Sequence, residues 1–325
     1  MRKQEEEFDR AEEIANLAKT VMGNYSFCTF TDTDEIYRYD DKSKLYMNGG
    51  ETFVKNWVQD TLRSDGKDRH CSNFLMNEII GHVKRSTYTD REDFLSPAYL
   101  IPVENGIIDC IRDDGEGLIE YSADNNRFLS KLPVSYTDGA TCPNFDAFLW
   151  DILPEEDHIT IWEMIGYCLY RGTPIHKSFM LIGDGSNGKS TLIKTVQALL
   201  GQKNYSNLSL QELETSRFGL GRIFEKYANF YPELTSAELK GTSRFKALTS
   251  GDMLDTEEKF KGHYSFSNFA KFIFACNQIP RTSDDTGAYF RRWLILKFNR
   301  VFSGSEVKPN LIAELTTQEE LSGIL

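Results

Sequence analysis

Nine residues, GDGSNGKST at 183–191, constrain this chain more than any other feature. They follow the apolar run FMLI (179–182) and lead into Leu192, Ile193, Val196, Leu199 and Leu200, apolar positions at helical spacing that stop at Gly201. A G-x-x-x-x-G-K-[ST] pattern between a strand and a helix reads as a P-loop. Glycines at 183, 185 and 188 let the backbone curl so that its N–H groups converge on an anion, and the helix start adds the positive end of its dipole. Gly183, Asp184, Gly185, Ser186, Asn187, Gly188, Lys189, Ser190 and Thr191 are therefore the candidate nucleotide-binding residues. Lys189 can reach the β- and γ-phosphates of ATP, and Ser190 offers a hydroxyl to Mg2+.

The surroundings suit that reading. FMLI, YANFY (227–231), FIFAC (272–276) and WLIL (293–296) are continuous apolar runs of the kind found in strands covered on both faces. Helical patterns between them predict an α/β layered fold with a parallel sheet. This P-loop domain is expected over 173–302. Residues 1–100 read as a smaller α+β module: a charged helix ending near Gly23, a hairpin around DDKS, and helices at TFVKNWVQDTL and NFLMNEIIGHVK. That order is compatible with a winged-helix-like module and equally with an adaptor that binds nothing. Between them, 101–172 is expected to be strand-rich as far as Tyr136. A helix then opens at Pro154 and carries Ile159, Trp162, Ile165 and Leu169 at helical spacing. The helical pattern of 303–325 stops without a cap, as it would in a truncated piece of a longer protein.

Bulk properties exclude some roles. No apolar run approaches the ~18 residues a membrane helix needs, and MRKQEEEFDR is not a signal peptide, so no membrane partner and a cytoplasmic site are expected. The six cysteines are scattered without zinc spacing and read as reduced thiols. A net charge of −12 argues against a protein that coats nucleic acid over its whole surface. The stretch from Glu238 to Arg300 nevertheless holds eleven Lys/Arg against seven Asp/Glu.

Four further positions have the chemistry that nucleotide hydrolysis requires. Glu233, just beyond YANFY, can hold Mg2+ or polarise the attacking water. Asn277, ending FIFACN, can hydrogen-bond the γ-phosphate and that water, although an Asx-turn before Pro280 is the plain alternative. Arg291 and Arg292 precede WLIL, where a guanidinium could stabilise transition-state charge on a neighbouring subunit's phosphate. Asp252 is a possible helper or simply a cap. In EEKFKGHYSF (257–266), Lys259, Phe260, Lys261 and His263 combine basic and aromatic chemistry suited to single-stranded nucleic acid.

From about Asn105 onward the chain resembles the superfamily 3 helicases, specifically the phage/plasmid and poxvirus-like primase–helicase family. GDGSNGKST resembles its Walker A, RFGLGRIFEKYANFYPEL the approach to Walker B, and RFKALTSGDMLDTEEKFKGHYSF its DNA-contacting hairpin motif. FIFACNQIP is similar to motif C and YFRRWLILKF to the arginine-finger segment. The resemblance implies an AAA+-like motor that uses ATP and Mg2+. It makes Lys189, Ser190, Glu233, Asn277 and Arg292 the ATPase set, with Arg291 the alternative finger, and Lys259, Lys261 and His263 the strand-engaging residues. It further implies hexameric rings on single-stranded and forked DNA, and a primase or primase–polymerase domain in the longer natural protein. Two rival readings stand beside it: an initiator or scaffold that uses ATP only to assemble, and a small-molecule phosphotransferase.

Overall fold

Apolar runs that alternate their side chains between two packed layers build the central sheet of this protein. The computed structural model describes residues 2–111, 117–125, 127–216, 218–236, 238–239, 241–257 and 263–325. The chain divides into two compact units, Met1–Ser96 with Tyr121–Ser130, and Pro97–Glu120 with Lys131–Leu325.

The first unit runs α1 (Arg2–Asn24), β1 (Phe27–Phe30), β2 (Ile36–Asp40), β3 (Leu45–Met47), α2 (Gly50–Ser64), α3 (Asn73–Thr87), β4 (Tyr88–Thr89) and α4 (Arg91–Phe94). Its sheet has the order β3-β2-β1-β4, and β1 and β4 are parallel. The hairpin expected around DDKS is present as β2–β3, and it precedes the two packed helices α2 and α3. Val54, Val58 and Leu62 of α2 and Leu75, Ile79 and Val83 of α3 form the buried stripes that hold the helices together.

The second unit begins with the antiparallel pair β5 (Leu100–Val103) and β6 (Gly106–Asp109). Beyond these strands the expected strand-rich stretch to Tyr136 reduces, among the described residues, to a single bridge between Ile107 and Ile119. Helices α5 (Pro143–Ile152) and α6 (Glu155–Leu169) follow. Pro154 caps α6 as expected, but the buried stripe is Ile161, Met164, Ile165, Cys168 and Leu169, and Ile159 is 63% exposed. The chain continues through β7 (Ser178–Ile182), α7 (Lys189–Leu200), β8 (Tyr205–Ser206), α8 (Leu210–Thr215), β9 (Ala228–Tyr231) and α9 (Ser243–Ser250). The hairpin strands β10 (Met253–Glu257) and β11 (His263–Ser267) come next. They are followed by β12 (Lys271–Cys276), α10 (Gly287–Phe290), β13 (Trp293–Lys297), α11 (Leu311–Leu315) and α12 (Gln318–Ile324).

All four apolar runs become strands of one five-stranded sheet, ordered β13-β7-β12-β9-β8, with every pairing parallel. Phe179, Leu181, Ile273 and Ala275 enter one core layer, while Met180, Phe272, Phe274 and Cys276 enter the other. The WLIL run departs from the expectation of full cover, because β13 is the sheet edge and Ile295 is 46% exposed. Residues 303–325 pack into the same core, with Leu315, Leu321 and Ile324 buried beside α5 and α7. There the Glu320 carboxylate accepts the backbone N–H groups of Asn144 and Phe145, capping the start of α5.

One buried charge in this core has a measurable consequence. Lys271, 1% exposed at the start of β12, donates to the carbonyls of Phe269 (2.8 Å) and Tyr170 and stands 4.7 Å from the Tyr167 ring centroid. Burial pushes its amine down from an ordinary value of 10.5 to about 7. Between those values the unfolded chain binds the extra proton, so folding stability rises as pH rises and is lost as pH falls towards 7. Denaturant titrations at several pH values are expected to show that slope, and Lys271→Met is expected to flatten it. An unchanged slope in the variant would assign it to another group.

Candidate functional site

Three adjacent parallel strands, β7, β12 and β9, end on one edge of the sheet, and the candidate residues of the loop, Asn277 and Glu233 follow those ends in turn. In open parallel sheets this edge is where loops converge on a ligand. The loop at 183–188 is tied to it directly: the Gly183 N–H donates to the Cys276 carbonyl (3.2 Å).

Loop geometry explains two of its three glycines. Gly188 has φ +89°, which a residue with a Cβ adopts only under strain, and its turn starts α7. Gly183 lies so close to the Phe298 carbonyl and the Asn187 amide that a Cβ would overlap both. At Gly185 a Cβ would meet nothing, so packing does not account for that glycine. Ser186 also has a positive φ, +57°.

Lys189 is 6% exposed, and its Nζ donates to Gly183 O (2.5 Å), Asp184 O (3.0 Å) and Asn187 Oδ1 (2.9 Å). Burial lowers its pKa, against the opposing influence of Cys276 and Asp184. Asn187 is itself buried: its Nδ2 donates to Asp184 O and to Phe298 O (3.3 Å), so its side chain braces the lysine and the loop. Asp184, Gly185 and Ser186 are exposed or nearly so, Ser190 is exposed, and Thr191 is half-buried.

Two cavities adjoin this edge. Glu233 and Asn277, both exposed, line one of about 420 Å3 together with Cys276 and Gln278. A second, of about 260 Å3, borders Ser186, Gly188 and Thr191. Its walls include the apolar side chains of Phe148, Phe302 and Ile312, with Asp151, Lys194 and Lys308 among the polar ones. None of these six was singled out from the sequence. They come from α5, α7 and the segment after β13, and no spacing rule links elements that meet only in the fold. The Phe302 N–H donating to Ser186 O (2.8 Å) fixes that segment against the loop.

The two arginines part company. They precede β13, whose first residue, Trp293, pairs with Ser178 at the start of β7, so they lie at the edge of the sheet opposite the loop. Five residues of strand separate the two edges, roughly 16 Å. Arg292 is 6% exposed, and its guanidinium donates to the carbonyls of Ala288 and Lys246 (3.2 Å) and to Ser250 Oγ (2.6 Å). Arg291 is exposed at the end of α10, its carbonyl accepting from Lys177 Nζ (2.6 Å).

The hairpin motif falls partly within the described residues. β10 and β11 pair antiparallel from Met253↔Ser267 to Glu257↔His263. His263 opens β11, and Lys259, Phe260 and Lys261 lie outside the described residues. Asp252 directly follows the left-handed C-cap Gly251 of α9, and its N–H donates to Ala247 O (3.1 Å).

Comparison with known proteins finds a family model, relatives and solved structures similar to this chain. The model of a family of unknown function, DUF5906, matches residues 181–292, about a third of the chain. The chain is 25% identical over 213 residues to "Putative helicase L207/L206" of Acanthamoeba polyphaga mimivirus, covering 62% of this chain and 22% of that protein. It is also 25% identical over 274 residues to "Putative helicase 121R" of Invertebrate iridescent virus 3, covering 78% of this chain and 27% of that protein. The chain thus spans about a quarter of the length of these relatives. Among solved structures, the apo C-terminal region of NrS-1 superposes with a TM-score of 0.60 at 13% identity, over 95% of this chain and 67% of that one. That likeness concerns the fold. Among the described residues no helix is long and apolar enough to cross a membrane.

Proposed function

We propose that this chain is the ATP-hydrolysing core of a DNA helicase whose catalytic sites are completed between neighbouring copies in a ring. One arrangement carries the reading. The lysine-bearing loop, Glu233 and Asn277 share one edge of the sheet, while the exposed Arg291 stands at the opposite edge, too far to serve its own loop. An arginine that cannot act in cis can meet the loop edge of another copy. The names of the two viral relatives support a nucleic-acid motor over a phosphotransferase.

In this reading the phosphates lie over residues 183–191. The Lys189 ammonium exchanges its three loop oxygens for the β- and γ-phosphates, and Asn187 remains as its brace. The base and sugar occupy the cavity bounded by Phe148, Phe302 and Ile312. Glu233 orients the attacking water, and Asn277 in the same cavity senses the γ-phosphate. Ser190 and Glu233 are hard oxygen donors of the kind Mg2+ takes alongside phosphate oxygens, where it supplies charge neutralisation. Single-stranded DNA is engaged through the β10–β11 hairpin by Lys259, Phe260, Lys261 and His263.

The test is the response of turnover to DNA. Adding single-stranded DNA is expected to raise the ATPase rate several-fold. Glu233→Gln is expected to bind ATP normally while turnover falls by roughly 10^2–10^4, the range for losing a general base. A rate indifferent to DNA would favour the phosphotransferase. Intact unwinding by Glu233→Gln would favour an assembly-only use of ATP.

A further inference from the structure

The exposed arginine is only as useful as its placement is rigid, and α10, which carries it, has four residues. Helices this short do not hold themselves. α10 is instead gripped at both ends by α9. At its start, the Asp284 carboxylate accepts Thr286 N–H (3.0 Å) and Thr286 Oγ1 (2.5 Å), and it is held by Lys246 Nζ (2.8 Å) and the Thr242 hydroxyl. At its end, Arg292 donates to the Lys246 carbonyl (3.2 Å) and Ser250 Oγ (2.6 Å). Between the two, Phe245 of α9 stacks on Trp293 at 4.7 Å and meets the Tyr289 ring at 5.8 Å.

Lys246 belongs to both grips, through its amine at one and its carbonyl at the other. α9 is in turn fixed to α8, because the Glu214 carboxylate accepts the N–H groups of Phe245 (2.8 Å) and Arg244 (3.3 Å). Arg291 is exposed, while Arg292 beside it is consumed in the grip.

We infer that Lys246 and Asp284 are positioning residues for Arg291, an ion-paired brace that sets where its guanidinium meets the neighbouring copy. This rests on the reading that Arg291 acts across a subunit boundary. Lys246, with Thr242 and Thr286, holds the Asp284 carboxyl well below the usual carboxylate range, so the brace stays charged through mildly acidic pH. A mispositioned catalytic group loses rate without losing substrate affinity.

Steady-state ATPase assays on the full chain with single-stranded DNA test this. Lys246→Met is expected to lower kcat roughly tenfold, the scale of a sub-ångström misplacement. KM for ATP is expected to stay near wild type while the thermal midpoint drops modestly with the lost ion pair, and Lys246→Arg, which keeps the cation, is expected to restore the rate. Combined with Arg291→Ala, Lys246→Met is expected to add nothing, since it acts through that arginine. Wild-type kcat in Lys246→Met, failure of Lys246→Arg to restore the rate, or additive losses in the double variant would each overturn the brace. Full turnover by Arg291→Ala alone would instead remove the trans-arginine reading beneath it.

Discussion

Lys189→Ala is expected to lose nucleotide binding, and turnover with it. Lys189 is 6% exposed and its ammonium is bonded to three oxygens of its own loop, so it is held ready rather than recruited from solvent. Its loss leaves phosphate charge buried without a partner, a situation that costs about 2–5 kcal/mol, or roughly 30- to 5,000-fold in Kd. Lys189→Arg is not a conservative control, because a planar guanidinium cannot take the place of an ammonium enclosed by three converging oxygens. Asn187→Ala is expected to be milder, about tenfold, since it removes one brace and leaves the charge. Titration with a fluorescent ATP analogue reads all three. Binding by Lys189→Ala as tight as wild type would mean that nucleotide lies elsewhere.

How far the fold could be read in advance followed from the range of the interactions involved. Four of the five strands of the central sheet are readable because a strand covered on both faces is written in consecutive residues, and FMLI, YANFY and FIFAC are such strings, whereas the two-residue β8 carries no such run. WLIL has the same look yet edges the sheet, since a local string does not record whether a neighbour lies on its far side. The α6 stripe shows the same limit at helical spacing: Ile159 and Ile161 are equally apolar, and only tertiary packing decides that Ile161 is buried. The loop at 183–191 was readable to the residue because its pattern is contiguous. The cavity beside it was not, because Phe148, Phe302 and Ile312 are far apart in sequence and meet only after α5 and the segment following β13 fold over the loop. Tandem arginines at 291 and 292 look interchangeable in sequence. A one-residue step at the end of α10 turns one towards solvent and the other towards α9.

That divergence gives the sharpest expectation for the arginine pair. Arg292, the finger that the resemblance implies, would have to give up its bonds to Ser250, Lys246 and Ala288 to reach a neighbour. Arg291→Ala is therefore expected to fold normally and bind ATP normally while hydrolysis falls by about 10^3 or more, the range for removing a trans arginine. Mixing it with Lys189→Ala is expected to recover some turnover, because one partner supplies an intact loop edge and the other an intact arginine edge. Arg292→Ala should fail differently: losing hydrogen bonds from a buried charge costs roughly 1.5–3 kcal/mol of stability. Its rate should fall mainly by loosening the segment that carries Arg291. Thermal denaturation beside ATPase rates of the two variants and of the mixture separates the cases. A stable Arg292→Ala with no hydrolysis, paired with an active Arg291→Ala, would return the trans role to Arg292 and require the 287–292 segment to turn over on assembly.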